Sequence, residues 1–179
     1  PQEVLTAAHF LWNKRTRNWL VPDAINFLAG DRRGEFIAHG KVVSYTLADP
    51  LITPNDAARF RPNDWAILRL AEPIDGITGV LPLGVSGTPV REYIQAGYSK
   101  DKPHILTIHE GCEVDDTPRG DRLLMHRCDA VSGDSGSPIL GIAGDALVVL
   151  GVHVATRRPK SGESTGIAIP IDSVSDVAR

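Results

Sequence analysis

No apolar run in this sequence approaches the roughly 18 residues that a membrane-spanning helix needs, so no such span is expected. Helical periodicity is nearly absent too. Only a turn around residues 8–12 and a tail over 172–178, with Asp172 as its N-cap, read as helical. Neither is long enough to organise a helical fold. No segment repeats at a fixed period. Charge of one sign is missing as well: the formal net charge is −3 and the basic residues are dispersed. The two small basic clusters, Lys14-Arg15-Thr16-Arg17 and Arg32-Arg33, read as solvated loops, so no nucleic-acid partner is expected. Nothing in the sequence calls for a metal or an organic cofactor. The chain opens on Pro1 without a Met, which reads as a processed product or a fragment with any signal peptide upstream.

What the sequence has in quantity is turns. Its 179 residues include 17 Gly and 13 Pro, with 42% hydrophobic and 23% charged residues, the composition of a soluble globular protein. That length suits one domain or two small barrels. Short β-branched or alternating segments recur near 25–29, 35–47, 65–70, 92–97, 105–114, 122–128, 137–142, 146–154 and 166–169. Many short strands at this spacing predict an all-β antiparallel sandwich or barrel. Residues 71–90 hold seven Gly or Pro in twenty and read as a link, giving units 1–84 and 85–179. Residues 156–165 read as a polar loop joining two strands.

Cys112 and Cys128 are the only cysteines, eight residues either side of Gly120. A hairpin turning around 118–121 would set them opposite each other. A disulfide there would contribute roughly 3 kcal/mol in the chain-entropy model. It would imply an oxidising, extracytoplasmic setting, secreted or periplasmic. Two alternatives stay open: free buried thiols, or a zinc site that adds His126 and lacks an obvious fourth ligand.

The segment 131–140, VSGDSGSPIL, holds a hydroxyl and a carboxylate between two glycines, just ahead of an apolar strand. Glycine opens backbone conformations closed to other residues and lets another molecule come close. Ser135 is therefore either a turn hydroxyl or a nucleophile. A nucleophilic Ser needs an imidazole within reach and a carboxylate to orient that imidazole. His9 sits in VLTAAHF, where an apolar strand gives way to small alanines and exposes the ring at a turn. Asp64 sits in PNDWAILRL, at the mouth of an apolar strand, where a half-buried carboxylate keeps hydrogen-bond partners. Each also fits a bland role on its own: a capping His, a strand-end Asp, a turn Ser. The α/β-hydrolase pattern G-x-S-x-G fails at Ser137, and only His153 follows Ser135.

Together TAAH, NDWAILRL and GDSGSP, in the chain order His, Asp, Ser, resemble the trypsin-like serine peptidases of the chymotrypsin fold. The resemblance implies two antiparallel β-barrels, a short C-terminal helix and a polypeptide substrate. It assigns Ser135 as nucleophile, His9 as base and Asp64 as the acid that fixes the tautomer of His9. The N–H groups of Gly133 and Ser135 would form the oxyanion hole. Asp129, six residues before Ser135, matches an acid that pairs with Arg or Lys of the substrate in trypsin-like members. His153 resembles a pocket residue of bacterial glutamyl endopeptidases, and SGSP also leans that way. Asp129 and His153 could instead pair with each other. Cleavage after Arg or Lys is the expectation, with cleavage after Glu as the alternative.

The pattern has gaps. Two strands that usually precede TAAH are missing from this chain, so the first barrel is expected to be incomplete at its N-terminal side. Asp134 matches an acid that pairs with a freed amino terminus in trypsin relatives, and no such partner is evident here. Phe10 stands where many relatives have a Cys. A peptidase-like binding protein without turnover is thus the competing function. Oligomeric state is not legible.

Overall fold

The computed structural model describes residues 1–56, 61–76, 79–85, 87–115, 123–158 and 161–175. The chain divides into two compact units, Pro1–Val80 and Leu81–Arg179, against the expected division between residues 84 and 85. Both units are built from antiparallel strands.

In the first unit the strands are β1 (Glu3–Thr6), β2 (Trp12–Asn13), β3 (Asn18–Trp19), β4 (Asn26–Ala29), β5 (Ala38–Leu47) and β6 (Ala66–Leu70). Four of them form a sheet in the order β1-β6-β5-β4, while β2 and β3 pair separately. The sheet covers a core of Leu11, Val42, Ala66, Leu68 and Leu70. Strand β5 shows how register serves that core. Gly40 and Val42 face inward, and a bulge between Val42 and Ser44 then adds a residue. Tyr45 and Leu47 thereby return to the core side, and Val43 is turned outward. The Tyr45 hydroxyl donates to the Leu20 carbonyl at 2.7 Å, and burial pushes its pKa up.

The basic cluster at 14–17 is the tip of the β2–β3 hairpin, closed by Trp12 packing edge-on against Trp19 at 5.0 Å. Asn13 Oδ1 accepts the N–H groups of Arg15 and Thr16, so the cluster is an exposed turn, as read from the sequence.

In the second unit the strands are β7 (Tyr93–Gly97), β8 (Thr107–Glu110), β9 (Val114–Asp115), β10 (Leu124–His126), β11 (Pro138–Ala143), β12 (Ala146–Arg157) and β13 (Thr165–Pro170). They form one sheet in the order β8-β7-β11-β12-β13-β10-β9. A short helix, α1 (Asp172–Ser175), follows; the rest of the expected tail lies outside the described residues. Ile139 and Ala168 centre a core that includes a Cys112–Cys128 disulfide. That bond removes both the free-thiol and the zinc alternatives, because neither sulfur remains a thiolate. The turn expected at 118–121 lies outside the described residues.

Two expectations shift. The single strand expected over 105–114 is split at Gly111, whose φ of +70° turns the chain between β8 and β9. The loop expected over 156–165 is shorter, because β12 and β13 continue their ladder to Arg157 opposite Thr165. No described helix is long and apolar enough to cross a membrane.

Candidate active site

Strand register delivers the first pair of predicted residues. Strands β1 and β6 pair from Glu3 opposite Arg69 to Thr6 opposite Ala66. Continued two residues further, that register sets Ala8 opposite Asp64. A 3-10 turn over Ala8–Leu11 carries His9, and another over Arg61–Asn63 sets Asp64 just ahead of β6. The Asp64 carboxylate accepts the His9 backbone N–H at 2.8 Å on Oδ1 and bonds His9 Nδ1 at 2.7 Å through Oδ2. Donation from Nδ1 fixes the tautomer and leaves Nε2 as the acceptor nitrogen. Burial pushes the Asp64 carboxyl up, and the His9 imidazole together with backbone N–H groups of His9 and Ala8 works against that shift. Asp64 is almost wholly buried, whereas the His9 ring keeps partial exposure. Phe10 packs tilted against that ring at 4.8 Å.

In the second unit, residues 131–137 form a tight loop ahead of β11. Asp134 N–H donates to the Val131 carbonyl and Ser137 N–H to the Asp134 carbonyl. Gly136 N–H donates to the His153 carbonyl at 2.7 Å, and His153 N–H donates back to Ser137 at 2.8 Å, which pins the loop to β12. The N–H groups of Gly133 and Ser135 have no acceptor among the described residues, unlike those of Val131, Asp134, Gly136 and Ser137. Ser135 is partly exposed, and its hydroxyl lies 3.4 Å from the Val154 carbonyl. Gly133 has φ +107°, a value glycine adopts without strain. The Asp134 side chain is buried; Oδ2 accepts the Val131 N–H, and Oδ1 has no hydrogen-bond partner among the described residues. Burial pushes the Asp134 pKa up, and the carboxylates of Asp101 and Asp129 add to the shift.

His153 has a partner that sequence reading did not supply. Its Nδ1 lies 2.8 Å from Nε2 of His126, and both rings are fully buried. Direction along this chain follows from its anchor. The Cys128 N–H donates to His126 Nδ1 at 3.2 Å, so the His126 proton sits on Nε2 and is donated to His153 Nδ1. The His153 proton is thereby placed on Nε2, 3.3 Å from Thr156 Oγ1, and the Thr156 hydroxyl donates to the Ala130 carbonyl. Burial lowers the His126 pKa to about 4, so that ring is neutral near pH 7. Gly166 makes room for the pair: a Cβ there would lie 2.0 Å from His126 Cε1. Asp129 is exposed, and its backbone N–H donates to His109 Nδ1 at 2.6 Å.

Solved structures share this architecture. A Glu endopeptidase in complex with MPD superposes with a TM-score of 0.73, at 18% identity over 99% of this chain and 80% of that one. The chain has the chymotrypsin fold. A thermostable serine protease from an extremophilic microorganism gives a TM-score of 0.71 and 15% identity over 98% of this chain and 82% of that one. No protein-family profile matches the chain, and no curated protein sequence does.

Within the chymotrypsin fold, the structure brings His9 and Asp64 together in the first unit. It sets Gly133, Asp134 and Ser135 in one loop of the second. The cue to His126 was available in the sequence, as a second His on a strand near the pocket segment. From the sequence His126 reads only as a possible metal ligand, and the structure pairs it with His153 instead.

Proposed function

We propose that this protein is a serine endopeptidase. Ser135 attacks the scissile carbonyl, Nε2 of His9 takes the hydroxyl proton and returns it to the leaving amine, and Asp64 holds the tautomer and stabilises the imidazolium. The developing oxyanion is received by the N–H groups of Gly133 and Ser135. The observation that carries the reading is the double hydrogen bond from His9 to the buried Asp64 carboxylate. A merely capping His does not need a ring nitrogen committed to a buried acid. The disulfide fits an oxidising, extracytoplasmic compartment.

For the residue preceding the cleaved bond, the His126–His153 pair favours Glu over the Arg or Lys expected from Asp129. Both imidazoles lie in a directional chain that gives His153 an N–H donor at Nε2, suited to a substrate carboxylate and unsuited to a cation. A substrate carboxylate replaces Thr156 as the acceptor. The Arg/Lys reading rests on the exposed Asp129 carboxylate. A peptide panel varying only that residue decides between them. Hydrolysis after Glu, abolished in Ser135→Ala, supports the proposal. Hydrolysis after Arg or Lys shifts the specificity to Asp129, and tight peptide binding without turnover makes the protein a binder instead.

A further inference from the structure

The Ser132–Gly133 peptide is gripped from one side by a segment with no role in the chemistry so far described. As the chain runs from residue 95 to 100, its contacts on the serine loop run backwards from 137 to 132. Gln95 Nε2 donates to Ser137 Oγ at 2.8 Å. Gly97 lies so close that a Cβ would sit 2.9 Å from Ser137 Cβ and 3.0 Å from Asp134 Oδ1. At Gly133 a Cβ would meet Lys100 N at 2.3 Å and the Ser99 carbonyl carbon at 2.9 Å. Lys100 N–H then donates to the Ser132 carbonyl at 2.7 Å. The turn that presents this N–H is itself closed, by Lys102 N–H on the Ser99 carbonyl at 2.9 Å and by a hydrogen bond between Ser99 and the Asp101 carboxylate.

We propose that the Lys100 N–H is a positioning group that holds the Ser132–Gly133 peptide in the orientation needed for an oxyanion hole. The inference rests on the endopeptidase reading. The peptide is trans, so its C=O and N–H point in opposite directions. With the Ser132 carbonyl held by Lys100, the Gly133 N–H is directed away from the 97–100 segment. A flipped peptide breaks the 2.7 Å bond and turns the Gly133 N–H toward the Lys100 N–H, donor against donor. The contact therefore selects one of two orientations. At Gly133 the backbone of Ser99 and Lys100 leaves no room for a Cβ, and at Gly97 the side chains of Ser137 and Asp134 crowd the same position.

The test replaces the Ser99–Lys100 peptide bond by an ester, which removes the N–H and keeps the side chain. A matched ester at Arg91, whose N–H donates to the Ile142 carbonyl at 3.0 Å, removes a backbone bond outside the loop. The Lys100 ester is expected to lose about 10–100-fold in kcat, a partial loss of one oxyanion donor, with KM little changed. The Arg91 ester is expected to keep kcat. In a 13C-labelled peptidyl chloromethyl ketone adduct, the hemiketal oxyanion pKa rises in the Lys100 ester. A folded Lys100 ester with wild-type kcat overturns the inference. In the wild-type protein, the NMR coupling across the hydrogen bond from Lys100 nitrogen to Ser132 carbonyl carbon reads the contact without turnover. Absence of that coupling overturns the inference too. Its presence in a protein that never cleaves peptides overturns only the endopeptidase reading.

Discussion

Asp64 and Asp134 are both buried carboxylates, yet His9 and Ala8 direct backbone and ring N–H groups at the first, while among the described residues the second receives one N–H, from Val131. Burial raises both pKa values; of the two, Asp134 is raised further by neighbouring carboxylates and keeps an oxygen with no partner among the described residues. The comparison separates two uses of a buried acid. Asp64 is spent on orienting an imidazole. Asp134 is held by backbone geometry and sits against Gly97 at a cost to the fold. In the second unit, the polar side chains of the serine loop and of the His126–His153 pair are held by hydrogen bonds and by close glycine contacts.

The largest expected effect breaks the Asp64 side of the comparison. Asp64→Asn retains the volume but reverses the tautomer preference of His9, and kcat on a peptide substrate is expected to fall about 10⁴-fold. A fall of less than tenfold would show that the His9–Asp64 bond is structural. Next comes the covalent restraint of the second unit. The double variant Cys112→Ser with Cys128→Ser should lose about 3 kcal/mol of stability, read from urea unfolding. Unchanged stability would place the restraint elsewhere. Gly166→Ala forces a methyl into the His126 ring, and an overpacked core of this kind typically loses roughly 1–3 kcal/mol. Thermal unfolding checks the loss, and a shift in residue preference checks that the His126–His153 pair moved with it.

The smallest effect sharpens the Asp134 side. Its folded-state pKa is raised above the unfolded value, so stability falls as pH rises through the folded pKa and is recovered below the unfolded one. Asp134→Asn should therefore be more stable than wild type at neutral pH by about 1 kcal/mol, the scale of one unsatisfied buried acceptor. The two proteins should converge in acid. A variant less stable than wild type at neutral pH would mean that Asp134 has a cationic partner.

Much of this was legible in the sequence because local signals and chemistry agreed. The β-rich architecture followed from short alternating segments, and the shared chymotrypsin fold bears out the class that TAAH, NDWAILRL and GDSGSP implied. The His9–Asp64 contact followed from requiring a base and an orienting acid. What stayed hidden lies in long-range packing. The bulge after Val42 leaves no mark on an alternation pattern, yet it decides that Tyr45 faces the core. Gly166 reads as a strand glycine until the His126 ring is seen against it. His126 and His153 are 27 residues apart and meet because β10 and β12 both flank β13. Lys100 carried no signal in the sequence, because its backbone, not its side chain, touches the serine loop.

The most direct test treats the folded protein with diisopropyl fluorophosphate and locates the adduct by peptide mass spectrometry. The account predicts a single phosphoryl group on Ser135, lost in His9→Ala and strongly slowed in Asp64→Asn. A folded protein that takes no label, or that labels Ser135 equally well without His9, contradicts it.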